Sequence, residues 1–146
     1  GYNYRMMNLQ GALGLVQLKR LEEFTARRIA NARFLNENIR VKGISTPFQM
    51  NGVRHVYHQY VVRVEDEFPA SRERLMEYLQ AKGVGSAVHY PKAVYQQPLY
   101  RDMGYSDVSC PVAEDVSRRV LSLPVHPALS AEELQYIAET MNSFEA

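Results

Sequence analysis

The sequence predicts an α+β protein. A long N-terminal helix leads into a small lobe whose three- or four-stranded, largely antiparallel sheet packs on one layer of helices. Three observations predict this. Helical periodicity runs unbroken from about Met7 to Ile39. Three separated runs of strand-like residues follow, Val53 to Val64, Val84 to Tyr90 and Val120 to Leu123. Helices with recognisable caps fall between and after them.

The long helix changes character along its length. From Met6 to Leu18 the apolar residues are Met6, Met7, Leu9, Ala12, Leu13, Leu15, Val16 and Leu18, which at 100° per residue cover most of the helix surface. A helix apolar nearly all round is one buried on all sides. A chain of 146 residues is too small to bury it alone, so a partner surface is expected. From Leu18 the pattern narrows to a stripe of Leu18, Leu21, Thr25, Arg28/Ile29, Ala32, Leu35 and Ile39, with charges outside it and Glu23 to Arg27 as a correctly ordered i,i+4 pair. Such a helix is roughly 50 Å long at 1.5 Å per residue. It is expected either to kink near Gly11 and Gly14 or to bridge two lobes, with Gly43 as its stop.

After a polar connection from Pro47, the run Val53 to Val64 reads as a strand with His55 and His58 on opposite faces, which argues against a shared metal. His58 stands in the mostly apolar row and reads as a half-buried, satisfied side chain. Ser71 caps a helix whose apolar side is Leu75, Met76, Tyr78 and Leu79, ended by Gly83. Val84 to Tyr90 is a short strand stopped by Pro91. A loop from Lys92 to Cys110 follows, and its aromatic residues argue against disorder. Pro111 opens a short helix to Arg119, Val120 to Leu123 is a strand, and Ser130 with Glu133 makes a capping box for a last helix with Leu134, Ile137, Ala138 and Met141 inward.

Composition excludes several classes. A net charge of +1 offers no basic face for nucleic acid, and direct DNA binding is set aside on that ground. One cysteine, Cys110, rules out an internal disulfide framework and fits a reducing compartment. No apolar run approaches the roughly 20 residues of a membrane span, so a soluble, cytoplasmic protein is expected. The chain begins at Gly1 within what reads as a motif, and is expected to be a piece of a longer polypeptide.

Nucleophile elbows, Gly-rich phosphate loops and zinc spacings are missing from the sequence. Two polar clusters remain. Tyr2, Asn3, Tyr4 and Arg5 stand at the mouth of the long helix, where backbone N–H groups, an amide and a guanidinium suit a phosphate. The same residues also read as a capped helix start with surface aromatics. His89, Tyr90, Pro91 and Lys92 stand at a strand end feeding the aromatic loop. They suit hydrogen bonding to hydroxyls and charge pairing with a phosphate, or serve simply as a structural strand end.

Gly-Tyr-Asn-Tyr-Arg-Met at 1–6, the spacing of Gln10, Ala12, Gly14, Gln17 and Leu18, His-Tyr-Pro at 89–91, and Leu-Pro at 123–124 ahead of Leu129, Ser130 and Glu133 occur in one order. Together they resemble the C-terminal part of the DegT/DnrJ/StrS family of sugar aminotransferases, and the resemblance covers essentially the whole chain. It implies pyridoxal-phosphate enzymes of the aspartate aminotransferase fold, with this lobe as the small domain of that fold. Residues 1–40 would be the lead and the dimer-spanning helix, and 41–146 the small domain, with a large cofactor-bearing domain upstream.

By the same resemblance, Asn3, and after it Arg5, would reach across a homodimer to the cofactor phosphate. His89 and Tyr90 would lie beside the sugar-nucleotide substrate, with Lys92 and Tyr95 near them. Tyr95 stands close to where family members often carry a histidine. The family's catalytic lysine lies upstream of the lead, and none of Lys19, Lys42, Lys82 and Lys92 matches it. The piece alone is therefore expected to be inactive and to hold no cofactor covalently. Its parent would move an amino group from an amino acid such as glutamate to a keto-sugar nucleotide. The alternative is a non-enzymatic dimerisation or regulatory module built on the same lobe.

Overall fold

The computed structural model describes residues 2–145; Gly1, the first residue of the lead motif, lies outside them. Helix α1 spans Asn8–Asn38, 31 residues, and closes with the Ile39 amide donating to the Leu35 carbonyl at 2.9 Å. It continues through Gly11 and Gly14 without a break, so the expected kink is absent and the helix projects from the lobe. Only its C-terminal third is buried, through Asn31, Ala32, Leu35 and the flanking Ile39. Leu9, Leu13 and Val16 are exposed by 69%, 60% and 55%. The Glu23–Arg27 pair forms at 2.8 Å.

Three antiparallel strands make the sheet, in the order β1 (Ile44–Ser45), β2 (Tyr60–Val64) and β3 (Val120–Leu123). Ile44 pairs with Val64, and Tyr60 with Leu123. The number of strands agrees with the sequence reading, but their membership does not. Residues 53–59 are irregular, because Tyr57 sits at φ 46° and its amide donates to the His55 ring at 2.9 Å instead of to a neighbouring strand. The assignment of alternating faces fails with it. Tyr57 is buried and His58, expected to be half-buried, is exposed. The run at 84–90 is not a strand either, since only Ala87 pairs, with Ser122 across the edge of β3. The third strand is the two-residue β1.

Helix α2 (Arg72–Ala81) starts at Ser71, whose hydroxyl accepts from the Arg74 amide at 3.1 Å. It ends in a Schellman closure: the Gly83 amide donates to Gln80 at 3.0 Å and the Val84 amide to Leu79 at 2.8 Å. The long loop is wound rather than open. It contains a 3₁₀ turn (Val94–Gln96), the short α3 (Pro98–Tyr100) and a π-helical turn (Arg101–Tyr105) broken at Gly104, φ 91°. Helices α4 (Pro111–Arg119) and α5 (Ala131–Asn142) follow the expected boundaries, and Ser130 and Glu133 cap α5 reciprocally. One core joins these elements, with Leu35, Tyr60, Val62, Leu75, Leu79, Leu121 and Met141 fully enclosed.

Gly43 is not the stop of α1, which ends before Ile39; it turns the chain into β1 with φ 80°. A Cβ there would collide with the backbone of Glu67 and Phe68, while one at Gly52, φ 77°, would meet nothing. Positive φ alone costs an alanine about 1–2 kcal/mol. Gly43→Ala is therefore expected to lose clearly more stability than Gly52→Ala, by about 1 kcal/mol or more. Urea unfolding of the two variants checks this.

Candidate functional site

The site is built around the edge of β3. All four residues of Val120–Leu123 are buried, including the polar Ser122. Ser122 exchanges two backbone hydrogen bonds with Ala87, at 2.8 and 3.2 Å. That bridge fixes the position of the following segment, and two residues on, His89 Nδ1 lies 3.0 Å from Ser122 Oγ. The His89 ring stands edge-on to Tyr90, with centroids 5.5 Å apart.

His89 is shared by two depressions. One, of about 300 Å³, is lined also by Arg28, His58, Ser86, Ser122 and His126. The other, of about 420 Å³ and mostly apolar, is lined also by Tyr90, Lys92, Tyr95, Cys110 and Val116. His89, Tyr90, Lys92 and Tyr95 are thus brought to one rim, with Tyr90 and Lys92 exposed. Among the described residues no group of three or more His, Cys, Asp or Glu is arranged to hold a metal ion.

Tyr95 is anchored from below. Its hydroxyl donates to Glu114 Oε1 and accepts from the Cys110 amide at 2.9 Å. The Cys110 amide and the Ser109 hydroxyl reach the same carboxylate oxygen at 3.2 and 3.3 Å. This clasp ties the wound loop to the first turn of α4. The Tyr95 hydroxyl, followed by the Cys110 amide and the Ser109 hydroxyl, holds the Glu114 carboxyl below its ordinary range. Burial and then the Glu114 carboxylate push the Tyr95 phenol up.

The lead residues stand elsewhere. Tyr2, Asn3, Tyr4 and Arg5 are all exposed, and neither the Asn3 amide nor the Arg5 guanidinium has a side-chain partner among the described residues. Between the start of α1 and Arg28, which lines the depression shared with His89, the helix extends about 30 Å. The lead and the His89 rim of one chain are held far apart.

Sequence reasoning missed Ser122, Glu114 and Arg28. A serine inside an otherwise apolar four-residue strand was the usable signal, because a buried hydroxyl needs a partner. Glu114 carried none, since an acid in a first helical turn is already explained by the helix dipole.

A model of the DegT/DnrJ/EryC1/StrS aminotransferase family matches residues 1–142. The chain is 32% identical to a pleiotropic regulatory protein of Geobacillus stearothermophilus, over 99% of this chain and 38% of the relative. It is 31% identical to a dTDP-3-amino-3,6-dideoxy-alpha-D-galactopyranose transaminase of Aneurinibacillus thermoaerophilus, again over 99% of this chain and 38% of the relative. Among solved structures it superposes on DesV of S. venezuelae, in complex with a ketimine intermediate, with a TM-score of 0.86 and 30% identity over 96% of this chain and 37% of that one. The chain therefore spans well under half the length of these proteins.

The clasp has a pH window. A carboxyl lowered in the folded state contributes above its ordinary range, and that contribution is lost as pH falls through the depressed value. A phenol raised in the folded state contributes below its ordinary value and loses that contribution as pH rises through the raised one. Amide exchange in the 92–110 loop, corrected for intrinsic rates, is expected to be slowest between these limits. At neutral pH, Tyr95→Phe and Glu114→Gln are each expected to speed it about threefold to tenfold.

Proposed function

The chain belongs to the DegT/DnrJ/EryC1/StrS aminotransferase family, and we propose that it is the C-terminal portion of a pyridoxal-phosphate-dependent aminotransferase acting on keto-sugar nucleotides. In this reading residues 1–40 are the lead and a dimer-spanning helix and residues 41–146 a small domain, with the cofactor-bearing domain upstream. The observation that carries the reading is the extent of the family match. It runs over residues 1–142, so the Asn3–Arg5 lead and the His89–Lys92 rim both lie inside it.

The residues present fit one edge of pyridoxal phosphate. Asn3 and Arg5 are unengaged donors in front of a 31-residue helix whose N-terminal partial positive charge favours an anion. They would hold the phosphate, and none of the chain's four lysines stands on the lead. Pyridoxal phosphate, when bound, supplies the electron sink for moving an amino group between an amino acid, such as glutamate, and a keto-sugar. His89 and Tyr90 would hydrogen-bond sugar hydroxyls, Lys92 would pair with a substrate phosphate, and the anchored Tyr95 would wall the cleft.

The separation of lead and rim along α1 supports a homodimer, in which the lead of one subunit serves the site of the other. The exposed apolar half of α1 is the surface such a dimer would cover. No helix among the described residues is long and apolar enough to cross a membrane, and a cytoplasmic enzyme is the setting this reading implies. The likeness to the pleiotropic regulatory protein of Geobacillus stearothermophilus favours one second reading, a non-enzymatic module.

The deciding experiment takes the complete polypeptide with pyridoxal phosphate, glutamate and a panel of keto-sugar nucleotides. Mass-spectrometric detection of an amino-sugar nucleotide is expected; a polypeptide that dimerises, binds the cofactor and transfers nothing would favour the module. Within it, Asn3→Ala is expected to weaken cofactor affinity about tenfold or more, the loss of a hydrogen bond to a charged group. Unchanged affinity in that variant would remove Asn3 from the phosphate.

A further inference from the structure

The contact between Ser122 and His89 is not explained by packing. Ser122 is only 8% exposed and occupies the third position of a strand whose other three residues are apolar. Its backbone is fully used by the bridge to Ala87. Its hydroxyl lies 3.0 Å from His89 Nδ1. His89 Nε2, by contrast, has no partner among the described residues, while its ring borders both depressions of the site.

From this geometry we propose that Ser122 is the positioning residue of His89. By engaging Nδ1 it fixes the ring plane and leaves Nε2 as the nitrogen offered to a hydroxyl of the sugar ring. The Ala87–Ser122 bridge supplies the rigid base, because both partners of the side-chain contact are anchored by the same pair of backbone bonds. A histidine with one nitrogen engaged presents the other in a defined role as donor or acceptor, whereas an unengaged ring samples several orientations and both tautomers. The role is one of orientation, and no proton transfer is assigned to it. The substrate half of the proposal rests on the keto-sugar nucleotide reading given above.

The test uses the complete polypeptide and two independent readouts. The first is carbethoxylation of His89, mapped by mass spectrometry without substrate and normalised to His55, whose Nδ1 is engaged by the Tyr57 amide. The second is kcat/KM for the keto-sugar nucleotide, beside the half-reaction with the amino donor followed by cofactor absorbance. Ser122→Ala is expected to raise His89 labelling about threefold to tenfold, the factor set by one lost hydrogen bond. It should lower kcat/KM for the sugar nucleotide by a similar factor, leave the amino-donor half-reaction unchanged, and be rescued by Ser122→Thr. Because truncation to alanine also removes packing in the strand, Ser122→Val is compared with Ser122→Thr, close in shape and differing in the hydroxyl.

Equal His89 labelling in the Thr and Val variants would overturn the hold of Ser122 on the ring. A labelling difference accompanied by equal loss in both half-reactions, or by none in either, would overturn the substrate half. Labelling needs no turnover. A polypeptide that transfers no amino group would therefore sink the proposed function while still reporting whether Ser122 holds His89.

Discussion

The constraint on which the rest depends is the docking of the last third of α1 into the lobe. Ala32 and Leu35 are enclosed completely, among side chains from β2, α2, β3 and α5. Polar locks surround this apolar seat. The Asn31 amide donates to the His126 carbonyl at 2.9 Å, tying the helix to the segment that leaves β3. Asn142, at the end of α5, donates to the Asn38 carbonyl and accepts from the Arg40 amide, both at 2.8 Å, closing the end of α1. Burying several large apolar side chains is worth roughly 1.5–3 kcal/mol each, and the locks set direction. They fix the angle at which the remaining helix leaves the lobe, and so where the Asn3–Arg5 lead stands relative to the His89 rim.

A second set of contacts braces the opposite side. Arg72, at the start of α2, donates to the Ser117 carbonyl at 2.9 Å and so covers the end of α4. Arg119 bridges Asp66 at 2.8 Å and Asp115 at 2.9 Å, and those carboxylates push its already high proton affinity further up. Exposed pairs of this kind contribute little stability each. Here they join the β2–α2 turn to α4, and Arg72 also reaches the Val120 carbonyl at the start of β3, at 3.5 Å. Because β3 carries Ser122, the bracing fixes the strand from which His89 is held.

Much of this was legible in the sequence where a local signal agreed with the tertiary environment. The Ser71 cap, the Gly83 turn and the Ser130–Glu133 box each satisfy backbone groups within a few residues, Pro111 removes a donor that would go unpaired, and the helices they bound lie where those residues placed them. What failed were readings that depended on distant partners. The strand-like composition of 53–59 was overridden by Tyr57, whose ring is buried at the cost of a left-handed backbone. The run at 84–90 meets β3 only through the single bridge of Ala87 to Ser122. Strand β1 has two residues, too few to show a period. Of the site, the His89–Lys92 motif was visible as a strand end rich in polar groups. Ser122 and Glu114 act through contacts 33 and 19 residues away in the chain, which no local pattern reports.

Helix α1 has a thermodynamic consequence of its own. Its docked end is stabilised within the chain, but Leu9, Leu13, Leu15, Val16 and Leu18 gain nothing there. Where a second subunit covered them, as the proposed homodimer would, the stability gained would follow mass action. The melting temperature of the helix's free half would then rise with protein concentration while that of the lobe stayed fixed. Dilution, rather than heat or denaturant, becomes the perturbation that separates the two halves of a single unbroken helix.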